Sequence, residues 1–141
     1  MSAPPQRRLA QVHVGDAMRR GVVSCPPDLP LSGIARLMAE QRVHCVVVEE
    51  PGAHDAEGWS VVSDRDLVRA ATADHLDEPM AGSMAGTTMP RIGAGQPLLR
   101  AAELMAEHDV SHLVVVGEAT GRPEGILSTL DLAAVLSARP G

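Results

Sequence analysis

Lysine, phenylalanine and tyrosine are absent from these 141 residues, and Trp59 is the one aromatic side chain. A core must therefore be built from aliphatic residues and from the seven methionines. A bound base would be gripped by aliphatic side chains, because the aromatic platforms that hold single-stranded nucleic acid are missing. All twelve basic residues are Arg, the net charge is -6 at pH 7 and the pI is about 5.4. Such a chain offers no broad basic face, so DNA and RNA are not expected partners. No apolar run approaches a membrane span, and "MSAPPQRR" leads into a polar stretch rather than a signal-peptide core. The expected location is cytoplasmic, with no membrane partner. Cys25 and Cys45 form neither a CxxC pair nor a Cys/His metal spacing. In a reducing compartment they read as small buried thiols on strands. A disulfide between them would require those strands to be neighbours.

What the chain does have is an internal repeat, the first thing to look for in any sequence. Met18 of "GDAM" recurs as Met84 of "GSM", 66 positions on. Pro30-Leu31 recurs as Pro97-Leu98, and "RLMAEQRV" (36–43) recurs as "ELMAEHDV" (103–110), both 67 on. Ser63-Asp64-Arg65-Asp66 is matched by Ser128-Thr129-Leu130-Asp131, 65 on. Either copy alone is too small to bury much of its own surface, so the two are expected to fold together. The reading divides the chain into an N-terminal extension (1–11), a first repeat (12–72), a linker (73–80), a second repeat (81–138) and a tail (139–141).

Within each repeat the pattern predicts β-α-β-β-α. Residues 1–11, rich in Pro and Arg, are expected to fray, and a short helix is expected over 14–18. "GVVSC" reads as a strand ended by Pro26-Pro27. Leu31, Ile34, Ala35, Leu37 and Met38 follow helical apolar spacing behind Pro30. "HCVVVEE" and "WSVV" are strands, and Ser63 caps the helix that begins near Asp64. The second copy repeats this order, with a strand over 89–92, a helix over 97–108, strands "HLVVVG" and "GILS", and a helix over 129–137. The fold class expected is α/β (α+β): two such repeats packed about a pseudo-twofold axis, with Val46, Val47, Val61, Val114 and Ile126 buried.

The strand before Pro30-Leu31, "ARLMAEQRV" and "SVVSDRDL", with their counterparts "AAELMAEHDVSHLVVV" and "GILSTLDL", resemble the CBS (cystathionine β-synthase) domain family in its tandem arrangement, the Bateman module. The resemblance runs from about Val14 to Ala138. It departs from the family at Ser60, where a Gly is usual and Gly125 keeps it in the second copy. It departs again at Pro90, placed on the first strand of the second copy.

The resemblance implies adenosyl ligands (AMP, ADP, ATP, S-adenosylmethionine or an NAD-like molecule) as effectors in clefts between the repeats, with no cofactor required. Asp66 and Ser63 would act with Met89, Pro90 and Ser111-His112; Asp131 and Ser128 would act with Val22, Val23 and His44-Cys45. His44 and His112 stand where relatives often carry basic phosphate contacts. The chemistry is sound: a carboxylate at a helix start can accept both ribose hydroxyls, with a Ser three residues earlier on the same edge. Gly125 is expected to let its strand approach the ligand. The module is expected to stand alone, as a homodimer joined through apolar helical stripes (Leu132, Val135 and Leu136 on the last helix), and to signal to an effector protein.

The same residues support plainer readings. Ser63 and Ser128 can be helix caps, Asp66 and Asp131 first-turn acids, and the histidines structural imidazoles. A ligand-free scaffold for protein association is then the alternative function, and a redox or metal-responsive protein using Cys25, Cys45 and His44 is a third. No Gly-rich phosphate loop, metal-binding helix motif or paired nucleophile and base is visible, so an enzyme is not expected.

Overall fold

A computed structural model describes residues 4–52, 57–74, 77–85 and 89–137. It divides into two compact units, one from residues 22–88 and one from residues 1–21 together with 89–141. Each carries the β-α-β-β-α order read from the sequence.

In the 22–88 unit, β2 (Ser24–Cys25), β3 (Cys45–Glu49) and β4 (Trp59–Ser63) form a sheet of order β2-β3-β4. Strand β2 runs parallel to β3, as the intervening helix α3 (Leu31–Gln41) requires, and β4 returns antiparallel. Ile34 and Met38, one helical turn apart, bury against Cys25, Val46, Val48 and Val62. Helix α4 (Asp64–Thr72) leaves directly from β4, and the short helix α5 (Ala81–Met84) adds Ala81 and Met84 to the same cluster. Alternation along the strands sends Cys45, Val47, Trp59 and Val61 to the other face, and these are buried as well.

The other unit holds a sheet of order β1-β7-β6-β5, from β1 (Arg19–Arg20), β5 (Arg91–Gly93), β6 (His112–Val116) and β7 (Pro123–Ser128). Helices α6 (Leu98–His108) and α7 (Thr129–Ser137) pack on it through Leu98, Ala101, Met105 and Leu132, against Ile92, Leu113, Val115 and Leu127. The expected core is correct at Val46, Val47, Val61 and Val114. Ile126 is only half-buried: next to core-facing Leu127, it points to the opposite face of β7.

The N-terminal region departs from expectation. Residues 5–11 do not fray but form α1 (Pro5–Gln11), with Pro5 in the first turn and Leu9 buried, in contact with α6 and α7. Helix α2 (Val14–Ala17) docks on the loop before α6, where Gly15 N–H donates to Ala94 O at 2.8 Å and Val14 N–H to Gln96 O at 2.9 Å. Helix α5 repeats this on the loop before α3: Gly82 N–H donates to Pro27 O and Ala81 N–H to Leu29 O, both at 2.8 Å. The leading segment of each repeat thus packs on the core built by the other repeat.

The helical stripes assigned to dimerisation are largely consumed within the units. Leu132 is core, with Val135 and Leu136 against it, and Ile34 and Met38 of α3 are buried. Among the described residues, Val68, Met80 and Leu130 are the large apolar side chains left exposed.

Candidate functional site

Strand β4 delivers Ser63 to the N-cap of α4, and the two ends of the Ser-x-x-Asp motif bond reciprocally. Asp66 N–H donates to Ser63 Oγ at 3.1 Å, and Ser63 N–H donates to Asp66 Oδ2 at 2.9 Å. This capping box satisfies two amides that the helix start would leave open. The Asp66 carboxylate is buried, its side chain 4% exposed, and its other oxygen, Oδ1, accepts from Arg69 Nη1 at 3.2 Å. Arg69 stands three residues after Asp66 on the helix, a spacing at which opposite charges meet.

Strand β7 sets up the same box on α7: Ser128 N–H donates to Asp131 Oδ2 at 2.8 Å and Asp131 N–H to Ser128 Oγ at 3.3 Å. Here the Ser128 hydroxyl also donates to Oδ2, at 3.1 Å. Asp131 is half-buried. Ala134 stands where α4 has Arg69.

The strands beside these caps place the histidines differently. His44 O accepts from Asp64 N–H just as Ser111 O accepts from Thr129 N–H, and Cys45 pairs with Ser63 as His112 pairs with Ser128. His44 therefore matches Ser111, and His112 matches Cys45. Exposed His44 places Nδ1 2.9 Å from Asp64 Oδ2, whereas half-buried His112 places Nδ1 3.0 Å from Ser111 Oγ. Val22 and Val23 are half-buried just ahead of β2, and Val23 O accepts from Val47 N–H at 2.8 Å. Half-buried Met89 and Pro90 come just ahead of β5, where Pro90 O accepts from Val114 N–H at 3.2 Å. Pro90 is thus outside the strand expected over 89–92, and it serves the ladder through its carbonyl, where a missing N–H costs nothing.

Gly125 has a structural reason unrelated to a ligand. A Cβ there would lie 2.5 Å from Arg19 O and 2.8 Å from Met18 Sδ, because β1 pairs with β7 at this point. The space expected to admit a ligand is filled by the chain's own backbone.

The cysteines lie on neighbouring strands, but register separates them. Cys25 is level with Val48, three residues along β3 from Cys45. Strand rise alone puts about 10 Å between them, beyond the reach of a disulfide. Both are free and buried. Burial, and secondarily Asp28, raises the Cys25 thiol pKa; burial, and secondarily Asp64, pushes Cys45 up to about 12. Neither thiol has the depressed pKa of a reactive cysteine. Among the described residues no group of three or more His, Cys, Asp or Glu is placed to hold a metal ion. None of the described helices is long and apolar enough to cross a membrane.

A cleft of about 600 Å³ opens in the 22–88 unit between α4, α5 and the segment joining them. Asp66, Arg69, Asp77, Glu78 and Met84 are among its walls. Its volume falls in the range of small-molecule pockets.

A search of curated proteins finds no match to the sequence. Solved structures match it over most of its length. A CBS domain protein from Pyrobaculum aerophilum, complexed with AMP, is 28% identical with a TM-score of 0.72, over 89% of this chain and 95% of that one. The CBS domain of a bacterial CNNM/CorC family Mg2+ transporter, in complex with ATP, is 17% identical with a TM-score of 0.74, over 94% and 92%. A hexameric CBS-CP12 protein from bloom-forming cyanobacteria is 18% identical with a TM-score of 0.71, over 86% of this chain and 69% of that one. The CBS domain family itself matches residues 14–73 and again 83–138. The chain belongs to the CBS domain family and carries the domain twice.

Proposed function

We propose that the chain is a regulatory module that binds an adenosyl ligand at its Ser-x-x-Asp helix starts and passes the bound state to a partner protein. The observation that carries this reading is the AMP complex of the Pyrobaculum aerophilum relative, which aligns with 89% of the chain. Asp131 and Asp66 are the candidate ribose acceptors, with Ser128 and Ser63 the adjoining hydroxyls. His112, opposite Ser128, and His44, beside Asp64, are the nearby phosphate-binding candidates. Val22, Val23 and Met89 offer aliphatic surface to the base, in a chain whose single aromatic, Trp59, is buried. No step of this activity is catalytic. The ligand acts by binding one conformation of the module more tightly than another. Exposed Val68 and Leu130 are the surfaces through which a cytoplasmic homodimer would associate.

The scaffold reading has its own support: both Ser-x-x-Asp motifs close complete capping boxes, a structural job that needs no ligand. A thermal-shift panel with AMP, ADP, ATP, S-adenosylmethionine and NADH separates the two. A ligand at 100 times its Kd adds about 2.7 kcal/mol, a rise of several degrees for a domain of this size. No shift with any of the five would leave the scaffold.

A further inference from the structure

We propose that the two Ser-x-x-Asp starts are not equivalent binding sites: Arg69 holds Asp66 shut, and one adenosine nucleotide binds per chain, at the Ser128–Asp131 start. The inference rests on the adenosyl-binding reading above and adds the stoichiometry and the residue that sets it. Gripping a ribose diol requires a carboxylate with oxygens to spare. Asp66 has Oδ2 committed to Ser63 N–H and Oδ1 to the Arg69 guanidinium, and its side chain is 4% exposed. Asp131 has both Ser128 donors on the single oxygen Oδ2 and is half-buried, and no hydrogen bond to Oδ1 is recorded among the described residues.

Three further differences point the same way. Ala134 replaces Arg69 at the matching turn of α7, so that helix offers Asp131 no cation one turn on. His112 faces Ser128 across the strands, where the first copy puts Cys45 opposite Ser63. Residues 22–88 carry four Arg and eleven Asp or Glu, against eight Arg and seven acids in the remainder, so a phosphate is repelled from the first and not from the second. The cleft beside Asp66 has room for a nucleoside, but its acceptor is taken. Arg69 is itself 69% exposed, so deleting its side chain frees Oδ1 without opening the core.

Calorimetric titration of AMP into the full chain tests this. The wild type takes one AMP per chain, Asp131→Ala lowers affinity at least tenfold, and Arg69→Ala adds a second site that survives in the Asp131→Ala/Arg69→Ala double variant. Arg69→Gln, which keeps most of the stem without the cation, replaces Arg69→Ala if the latter lowers stability, with the same outcome expected. Two sites in the wild type, or weaker binding and no added site on removing Arg69, would overturn the inference while leaving the function standing. No AMP bound by any variant would overturn the function and the inference with it.

Discussion

The carbonyl of Arg19 occupies the place a side chain on Gly125 would take, 2.5 Å from where its Cβ would lie. The neighbour is backbone on a two-residue strand, so it cannot swing aside as a side-chain tip would. Gly125→Ala should destabilise the chain by about 1–3 kcal/mol, the usual cost of overpacking, by lifting β1 off β7. Urea denaturation reads this directly. Unchanged stability would mean that β1 contributes nothing to the sheet.

Two helices end on residues that strain the backbone. Arg42 (φ 54) and Asp109 (φ 51) close α3 and α6 in the left-handed conformation, each with its N–H on the carbonyl four residues back, that of Met38 or Met105. Glycine occupies this region without a Cβ penalty. Arg42→Gly should raise stability by about 0.5–1 kcal/mol, and Asp109→Gly by less, because Asp tolerates the conformation better. Calorimetric melting of both variants checks the order; a lower melting temperature for Arg42→Gly would refute it.

The alkaline limb of stability belongs to the cysteines. With no Lys or Tyr in the chain, they are the side chains that titrate between pH 9 and the Arg range. Burial raises both folded-state values above the ordinary 9.0, Cys45 to about 12. The stabilisation from keeping these thiols protonated is therefore complete below pH 9 and is lost as pH climbs toward 12. The slope should reach about 1.4 kcal/mol per pH unit for a single thiol. Denaturation curves from pH 8 to 11.5 should show a shallower fall for Cys45→Ala than for the wild type. Equal slopes would contradict the burial argument.

Much of this architecture was legible in the residues, because a repeat gives every pattern twice. The spacing of Ile34 and Met38, the run Val46–Val48 and the caps at Ser63 and Ser128 follow from local physics, which sequence records. What was not legible depends on partners distant in the chain. Nothing local says that Val14 and Gly15 dock on the loop before α6, or that Gly125 makes way for Arg19. Leu9 alone hinted that residues 5–11 would be held in place. The offset of 67 that pairs residues 36–43 with 103–110 already sets His44 against Ser111, and strand register agrees, so the two histidines are not counterparts. At the site the motif itself was visible, but the role of Arg69, three residues beyond Asp66, depends on the side chain turning back to that carboxylate, and Ala134 stands at the matching place in the second copy.

The central claim is that Asp131 receives an adenosyl ligand, and titrating AMP into Asp131→Asn tests it most directly. Asn keeps the size of the side chain and an amide oxygen that can still accept from Ser128 N–H, so folding is preserved while the charged acceptor is lost. The account predicts a loss of about 1.5–3 kcal/mol in binding, the range for a hydrogen bond to a charged group. That is roughly a 10- to 150-fold rise in Kd, with a melting temperature near that of the wild type. Asp66→Asn, measured alongside, should leave AMP affinity unchanged. Wild-type affinity in Asp131→Asn would contradict the account and leave both carboxylates as helix caps.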